Sequence, residues 1–280
     1  MTRLEEIRKQ IKQTVTDVKE TNPMAGSVTN SVTINLVANT QIAVGGSAAM
    51  VYLPDEGQFL AKAGGATYIN MGTMLPIYEE TLPLAVKTLK KEDKPWVLDP
   101  VAIGIGQLRT AMLKLFKEYK PDIIKGNASE IIALAGLWQL EGGTGESKVR
   151  GVDSTNHVDE AKAAAVSIAR WTDGAVIVSG EIDLVTDGEY VATCRGGSHF
   201  LGKITGGGCA LGGAASIYLT SSIPFIAALT AVLAFNLAGE RAEEQTDAPA
   251  SFQVAFLDEL YKATPEDIAD YHFEMEEFQS

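Results

Sequence analysis

Apolar residues recur along this chain with two periods, and the exchange between them predicts its elements. Near the N-terminus Leu4, Ile7, Ile11, Val15 and Val18 are spaced 3, 4, 4 and 3 apart, as on one face of an α-helix. Short apolar runs then end at polar or glycine residues. They are Ala66–Met71 before Gly72, Trp96–Leu98 before Asp99-Pro100, Asp122–Lys125 before Gly126, and Ala175–Val178 before Ser179-Gly180. Runs this short read as buried strands. Helical patterns separate them: Ile77–Leu89 (with Pro83 as a start or a kink), Thr110–Tyr119, Ala128–Leu137 and His157–Trp171. Asn127 is placed to cap the third of these helices. Asp183–Val185 and Tyr190–Thr193 flank Asp187-Gly188, as in a hairpin. Strands alternating with helices predict βαβ units, and so an α/β fold with a mainly parallel central sheet flanked by helices.

Composition narrows the picture. The 280 residues show no internal repeat and no low-complexity linker, so one α/β domain over 1–280 is expected. With 46% hydrophobic and 21% charged residues the chain can bury a substantial core. Pro224–Gly239 is nearly all apolar, but it falls short of the roughly twenty residues that span a bilayer and reads as a core helix. A net charge of −13 argues against a nucleic-acid surface, which needs clustered Lys and Arg. That charge, and an N-terminal segment without an apolar signal core, suit a cytoplasmic protein that handles small molecules and engages no membrane. Two cysteines, Cys194 and Cys209, are too few for a disulfide framework. Glu141–Ser147 reads as a surface loop, and the acidic, aromatic tail Pro265–Ser280 as a docked helix or a frayed end.

Candidate chemistry gathers where the predicted strands end: Asn70 and Thr73, Asp99, Lys125 and Asn127, Ser179 and Glu181. In open α/β sheets ligands bind outside those ends. The sharpest motif is Thr205-Gly206-Gly207-Gly208-Cys209, running straight into a small, apolar helical stretch over Ala210–Leu219. Glycines opening a helix leave N–H donors uncovered at its positive end, a ready anion site, although close packing alone also calls for glycine. Cys209 falls in the first turn, where a thiol pKa tends to drop. A nucleophile or base beside an anion hole suggests phosphoryl or acyl transfer. The chain has no G-x-x-x-x-G-K-[ST] loop and no G-x-G-x-x-G opening an early helix, so its cradle is of another kind. His157, His199 and His272 show no metal spacing and read as surface or structural residues.

Several stretches together resemble the hydroxyethylthiazole kinase family, within the ribokinase-like superfamily. They are Thr29–Asn35 with Ala38-Asn39, Gly45–Met50, Ile69–Thr73, Val97–Gly104 with Arg109 following, Ile124–Ile131, Gly151–Ser154, Val178–Asp183, the glycine–cysteine motif, and Ser251-Phe252. The resemblance implies a ribokinase-like α/β fold. It implies ATP-dependent phosphorylation of the hydroxyethyl alcohol of 4-methyl-5-(2-hydroxyethyl)thiazole, for thiamin salvage. Met50, Gly206, Asn30 and Asn35 would then contact the thiazole. Lys125, Ser179, Asn127 and Thr205 would hold the nucleotide, and Asp99 and Glu130 a magnesium ion. Cys209 would stand where many superfamily relatives carry an aspartate base, with Gly206, Gly207 and Gly208 steadying the transferred group. A homotrimer with sites between subunits is also implied.

The chain departs from the family pattern at four places. Gly26 stands where a histidine is usual, Lys125 for an arginine and Ser179 for a threonine, and Gly207 takes a position that often bears a side chain. These departures point to a reshaped thiazole pocket, lost bidentate phosphate geometry and a looser glycine turn. The alternatives are a ribokinase-like enzyme acting on another small alcohol, and a non-catalytic thiazole- or nucleotide-binding protein.

Overall fold

A computed structural model describes residues 2–144 and 158–278. The stretch Gly151–Ser154, His157 and the end of the Glu141–Ser147 loop lie outside the described residues.

Among the described residues, one continuous sheet of nine strands organises the fold. In chain order the strands are β1 (Met24–Val28), β2 (Ser47–Met50), β3 (Ala66–Asn70), β4 (Trp96–Asp99), β5 (Ile123–Asn127), β6 (Ala175–Ser179), β7 (Ile182–Thr186), β8 (Tyr190–Arg195) and β9 (Glu274–Glu277). They lie in the order β2-β1-β3-β4-β5-β6-β7-β8-β9. The first six are parallel, and β7, β8 and β9 add antiparallel. The chain steps from β1 outward to β2, then crosses back to place β3 on the other side of β1. That reversal opens a crevice between the ends of β1 and β3, the usual place for a ligand in an open α/β sheet.

Strand alternation sorts the core into two layers. Tyr68, Val97, Ile123, Ala175 and Ile177 face one side, and Ile69, Leu98, Ile124, Val176 and Val178 face the other. The first face is covered by α1 (Arg3–Thr21), α2 (Ile34–Ala43), α8 (Gly207–Leu219), α9 (Pro224–Glu243), α10 (Pro249–Lys262) and α11 (Pro265–Asp270). The second is covered by α3 (Pro54–Ala63), α4 (Tyr78–Glu92), α5 (Gln107–Tyr119), α6 (Ala128–Leu137) and α7 (Lys162–Thr172).

The predicted strands and helices are present, with ends shifted by a few residues. Pro83 lies inside α4 and does not end it. The His157–Trp171 pattern becomes a short 3₁₀ turn, Val158–Ala161, followed by α7. Among the described residues, α9 alone is long and apolar enough to cross a membrane, and 89% of its apolar window is buried in the fold. Through Phe278 the tail is folded: α11 docks against α1, and β9 then pairs with the edge of β8. Both cysteines are free thiols. Sequence patterning missed β1, β2 and β9. Met24–Val28 and Ser47–Met50 are rich in Gly, Ala and Ser, which carry little strand preference, and β9 is three-quarters glutamate.

Candidate active site at the strand ends

The carboxyl ends of β3, β4 and β5 meet the start of α8. Asp99 closes β4 and is fully buried. Its Oδ2 accepts from the Tyr68 hydroxyl at 3.0 Å and from the Asn70 amide at 3.1 Å. The ammonium of Lys125, on β5 and itself 5% exposed, lies 3.7 Å from the same oxygen. Burial pushes the Asp99 carboxyl up to about 6 against the pull of Lys125, and Glu130 pushes the same way. Burial opposes the Lys125 charge, but Asp99 and Glu130 outweigh it and hold the pKa above the ordinary lysine value. The pair therefore keeps its cation, and the carboxylate is the member poised to titrate.

Across the crevice, the Asn30 amide donates to Asn70 Oδ1 at 2.8 Å and lies 3.6 Å from Cys209 Sγ. Asn30 Oδ1 in turn accepts from the backbone of Val32 and Thr33, which sets the approach to α2. Arg109 ties two neighbouring loops together. Its guanidinium donates to the carbonyls of Met71 and Gly72, both at 2.9 Å, and of Ile105.

Helix α8 begins on Gly206, whose φ of +97° is left-handed backbone that suits glycine. No side chain caps this helix start. A Cβ at Gly206 would sit 2.7 Å from Thr33 Cβ, and one at Gly207 would sit 2.7 Å from the Leu201 carbonyl oxygen. Gly207 thus serves close approach, in place of the looser turn the sequence led us to expect. A Cβ at Gly208 would meet Lys125 Nζ at 3.0 Å, so the ammonium lies directly under the first turn. Cys209 does sit in that turn, but its pKa moves opposite to expectation. Burial and then Asp99 raise it, and Lys125 offsets this only in part. The thiol stays protonated at neutral pH.

Beside α8 a cleft of about 650 Å³ opens, lined among others by Ser179, Asp183, Gly208, Leu211, Phe235 and Asn236. That volume suits a nucleotide-sized ligand. The Ser179 hydroxyl lies at its edge and donates to the Gly126 carbonyl at 3.4 Å. Thr205 is exposed just before the turn. Asn127 and Glu130 close the start of α6 on each other: the Asn127 side chain accepts from Glu130 N, and Glu130 accepts from Asn127 N, both at 2.9 Å. The other Glu130 oxygen accepts from Ala102 N at 3.3 Å and steadies the loop after Asp99.

The structure therefore gathers Asn30, Asp99, Lys125, Glu130, Cys209 and Gly206–Gly208, and sets Ser179 on the adjoining cleft. It does not bring in Asn35, which is exposed on α2 and bonded to Asn39. Met50 lies half-buried at the end of β2, near the sheet edge. Gly26 lies within β1 against α3, where a Cβ would come 2.8 Å from Leu60 Cβ, so it is a packing position. Sequence reasoning missed Tyr68. Period two places Tyr68 and Asn70 on one face of β3, and that spacing was the available signal.

Asp99 Oδ1 is buried and has no hydrogen-bond partner among the described residues. An orphaned carboxylate oxygen beside a second carboxylate fits a hard divalent cation that keeps water and phosphate as its other ligands. No cluster of three or more metal-ligating side chains occurs among the described residues, which is consistent with so sparse a protein share.

A mainly parallel sheet covered by helices on both faces, with a buried acid–lysine pair at its strand ends under a glycine-opened helix, has the ribokinase-like fold. A ribokinase-like superfamily protein from Enterococcus faecalis V583 has this fold, with a TM-score of 0.60 at 12% identity, covering 88% of this chain and 89% of that one. The family follows from closer matches. The hydroxyethylthiazole kinase family profile matches residues 15–266. A hydroxyethylthiazole kinase of Bifidobacterium longum (strain DJO10A) is 50% identical over 282 residues, covering 94% of this chain and 90% of the relative. The hydroxyethylthiazole kinase protein of Pyrococcus horikoshii OT3 superposes with a TM-score of 0.83 at 30% identity, covering 97% of this chain and all of that one. The chain belongs to the hydroxyethylthiazole kinase family.

Proposed function

We propose that this protein transfers the terminal phosphoryl group of ATP to the primary alcohol of 4-methyl-5-(2-hydroxyethyl)thiazole. One observation carries the reading: Asp99, Lys125 and the uncapped start of α8 converge beside a nucleotide-sized cleft. Phosphoryl transfer asks for charge neutralisation and in-line placement more than covalent chemistry. Lys125 supplies a fixed cation on the phosphate path, as a point charge without the fork of an arginine. The N–H groups of Gly207, Gly208 and Cys209 face the charge that grows on the transferred group. Ser179 and Thr205 flank the nucleotide, while Asn127 acts by holding Glu130 in place. Magnesium, held by Asp99 directly and by Glu130 through water, would neutralise phosphate charge.

The protonated Cys209 thiol does not act as a strong base. With Asn30 it positions the alcohol, whose proton passes late in a loose transition state to an oxygen of the transferred phosphoryl group. Asn35 is exposed on α2 and Met50 half-buried at the end of β2, with exposed Val32 and Leu53 close by in sequence. This supports a trimer in which those two residues complete a neighbour's thiazole pocket. A cytoplasmic setting fits a kinase that draws on ATP.

The test is incubation with magnesium–ATP and hydroxyethylthiazole, hydroxymethylpyrimidine or ribose, read by mass spectrometry. Thiazole phosphate as the sole product is expected. Thiazole bound without any phosphorylated product would replace this reading with that of a binding protein.

A further inference from the structure

The Asp99 carboxylate is held on one side only. Oδ2 takes the contacts that this chain makes to the group, from Tyr68, Asn70 and Lys125. Oδ1 is equally buried and has none among the described residues. An acceptor left like this in the interior is costly unless something outside the chain completes it.

Tyr68 organises that asymmetry. It is fully buried in β3, and its hydroxyl touches Asp99 Oδ2 at 3.0 Å and the Cys209 carbonyl at 2.9 Å, while accepting from Asn70 Nδ2 at 2.9 Å. A phenol has one proton, so it donates to one acceptor at a time while bridging the strand that bears the carboxylate to the helix that bears the glycine turn. Room for the ring comes from Gly212, the sixth residue of α8. A Cβ there would lie 2.6 Å from Tyr68 Cε2 and 2.9 Å from its hydroxyl oxygen.

We propose that Tyr68 is a positioning residue, admitted by a notch at Gly212, that pins one oxygen of Asp99 to the start of α8 and so presents the other to a divalent cation. The inference rests on the reading of Asp99 as a metal ligand. Tyr68 itself touches neither the nucleotide nor the alcohol. It acts through the direction in which the carboxylate points, as partners behind metal ligands commonly do.

The test is calorimetric binding of ADP to the full-length chain, once with Mn²⁺ and once with EDTA, together with the thermal midpoint. In the unaltered protein Mn²⁺ should tighten ADP binding. Tyr68→Phe removes only the hydroxyl and keeps the packed ring. It should cut that metal-dependent gain about tenfold, the usual scale for losing such a partner, with ADP affinity in EDTA unchanged. Gly212→Ala should displace the ring and reproduce the loss. The double variant should lose no more than Tyr68→Phe alone, because both changes act through one contact. A full metal gain in Tyr68→Phe would overturn the positioning role and leave Asp99 as a ligand. No metal gain in the unaltered protein would overturn both.

Discussion

Two helices start at the same edge of the sheet, and they start differently. Helix α6 is closed by its own side chains, with Asn127 and Glu130 satisfying each other's backbone N–H groups. Helix α8 begins on Gly206 with no side-chain cap, and the Lys125 ammonium lies under its first turn. Both ends carry the same positive dipole. Only the second leaves that dipole and its donors to a ligand. The lesson is that a helix start becomes an anion site through what the chain withholds from it.

The strongest way to break this contrast is to cap the open helix. Gly208→Asp would place a carboxylate in the first turn, beside Lys125, where an incoming phosphate would otherwise lie. Steady-state turnover should fall about 10³-fold, the scale for losing preorganised anion stabilisation. The thermal midpoint should fall modestly, because the new Cβ would lie 3.0 Å from the buried Lys125 ammonium, and an acid in the first turn of a helix offsets this by only about 0.5 kcal/mol. Unchanged turnover would remove α8 from the chemistry.

Acidity offers a second, graded test. Burial pushes the Asp99 carboxyl up to about 6, and its ionised form is the one able to hold a cation. Protonation increases as pH falls through that value. kcat/KM should therefore drop on the acid side of about pH 6, approaching tenfold per pH unit, and Asp99→Asn should abolish the limb along with most of the activity. A flat profile from pH 7 to 5 would mean that Asp99 stays ionised over that range, held so by Lys125 or by a bound cation.

Cys209→Ser should slow turnover by about tenfold and leave ADP affinity in place, since a protonated thiol contributes far less than a matched base with its 10²–10⁴-fold effect. Wild-type turnover in that variant would make Cys209 a packing residue only. The mildest effect belongs to the closed helix: Asn127→Ala should lower stability by about 1 kcal/mol, the worth of an N-cap, and shift the KM for ATP little. A large rise in KM there would mean that α6 too is open to the nucleotide.

What could be read from the sequence follows the same division. β3, β4, β5 and β6 were visible because their residues are apolar on both faces and stop at a polar group, and those stops, Asn70, Asp99, Lys125 and Ser179, are the ones that meet at or beside the crevice. The uncapped helix was visible because three consecutive glycines have few other uses. β1 and β2 were not, because their residues become strand only through neighbours on either side. Tyr68 was hidden for a related reason. A tyrosine inside an apolar run looks like packing, and only the register against β4 brings its hydroxyl to Asp99. The direction of the Cys209 shift was beyond local reading as well. The helix start argues for a fall, and the burying layer and Asp99, remote in sequence, reverse it.

The far edge of the sheet has a consequence of a different kind. β9 reads Glu-Met-Glu-Glu, with its glutamates exposed, and it is the last strand beside β8. An outermost strand offers its free backbone groups to any other chain that can lie alongside. A copy arriving by the same edge would have to set its own acidic fringe against this one, in a molecule that already carries a net charge of −13. The tail that completes the sheet thereby also charges this edge, and two copies meeting β9 to β9 are held apart by like charge at the first step.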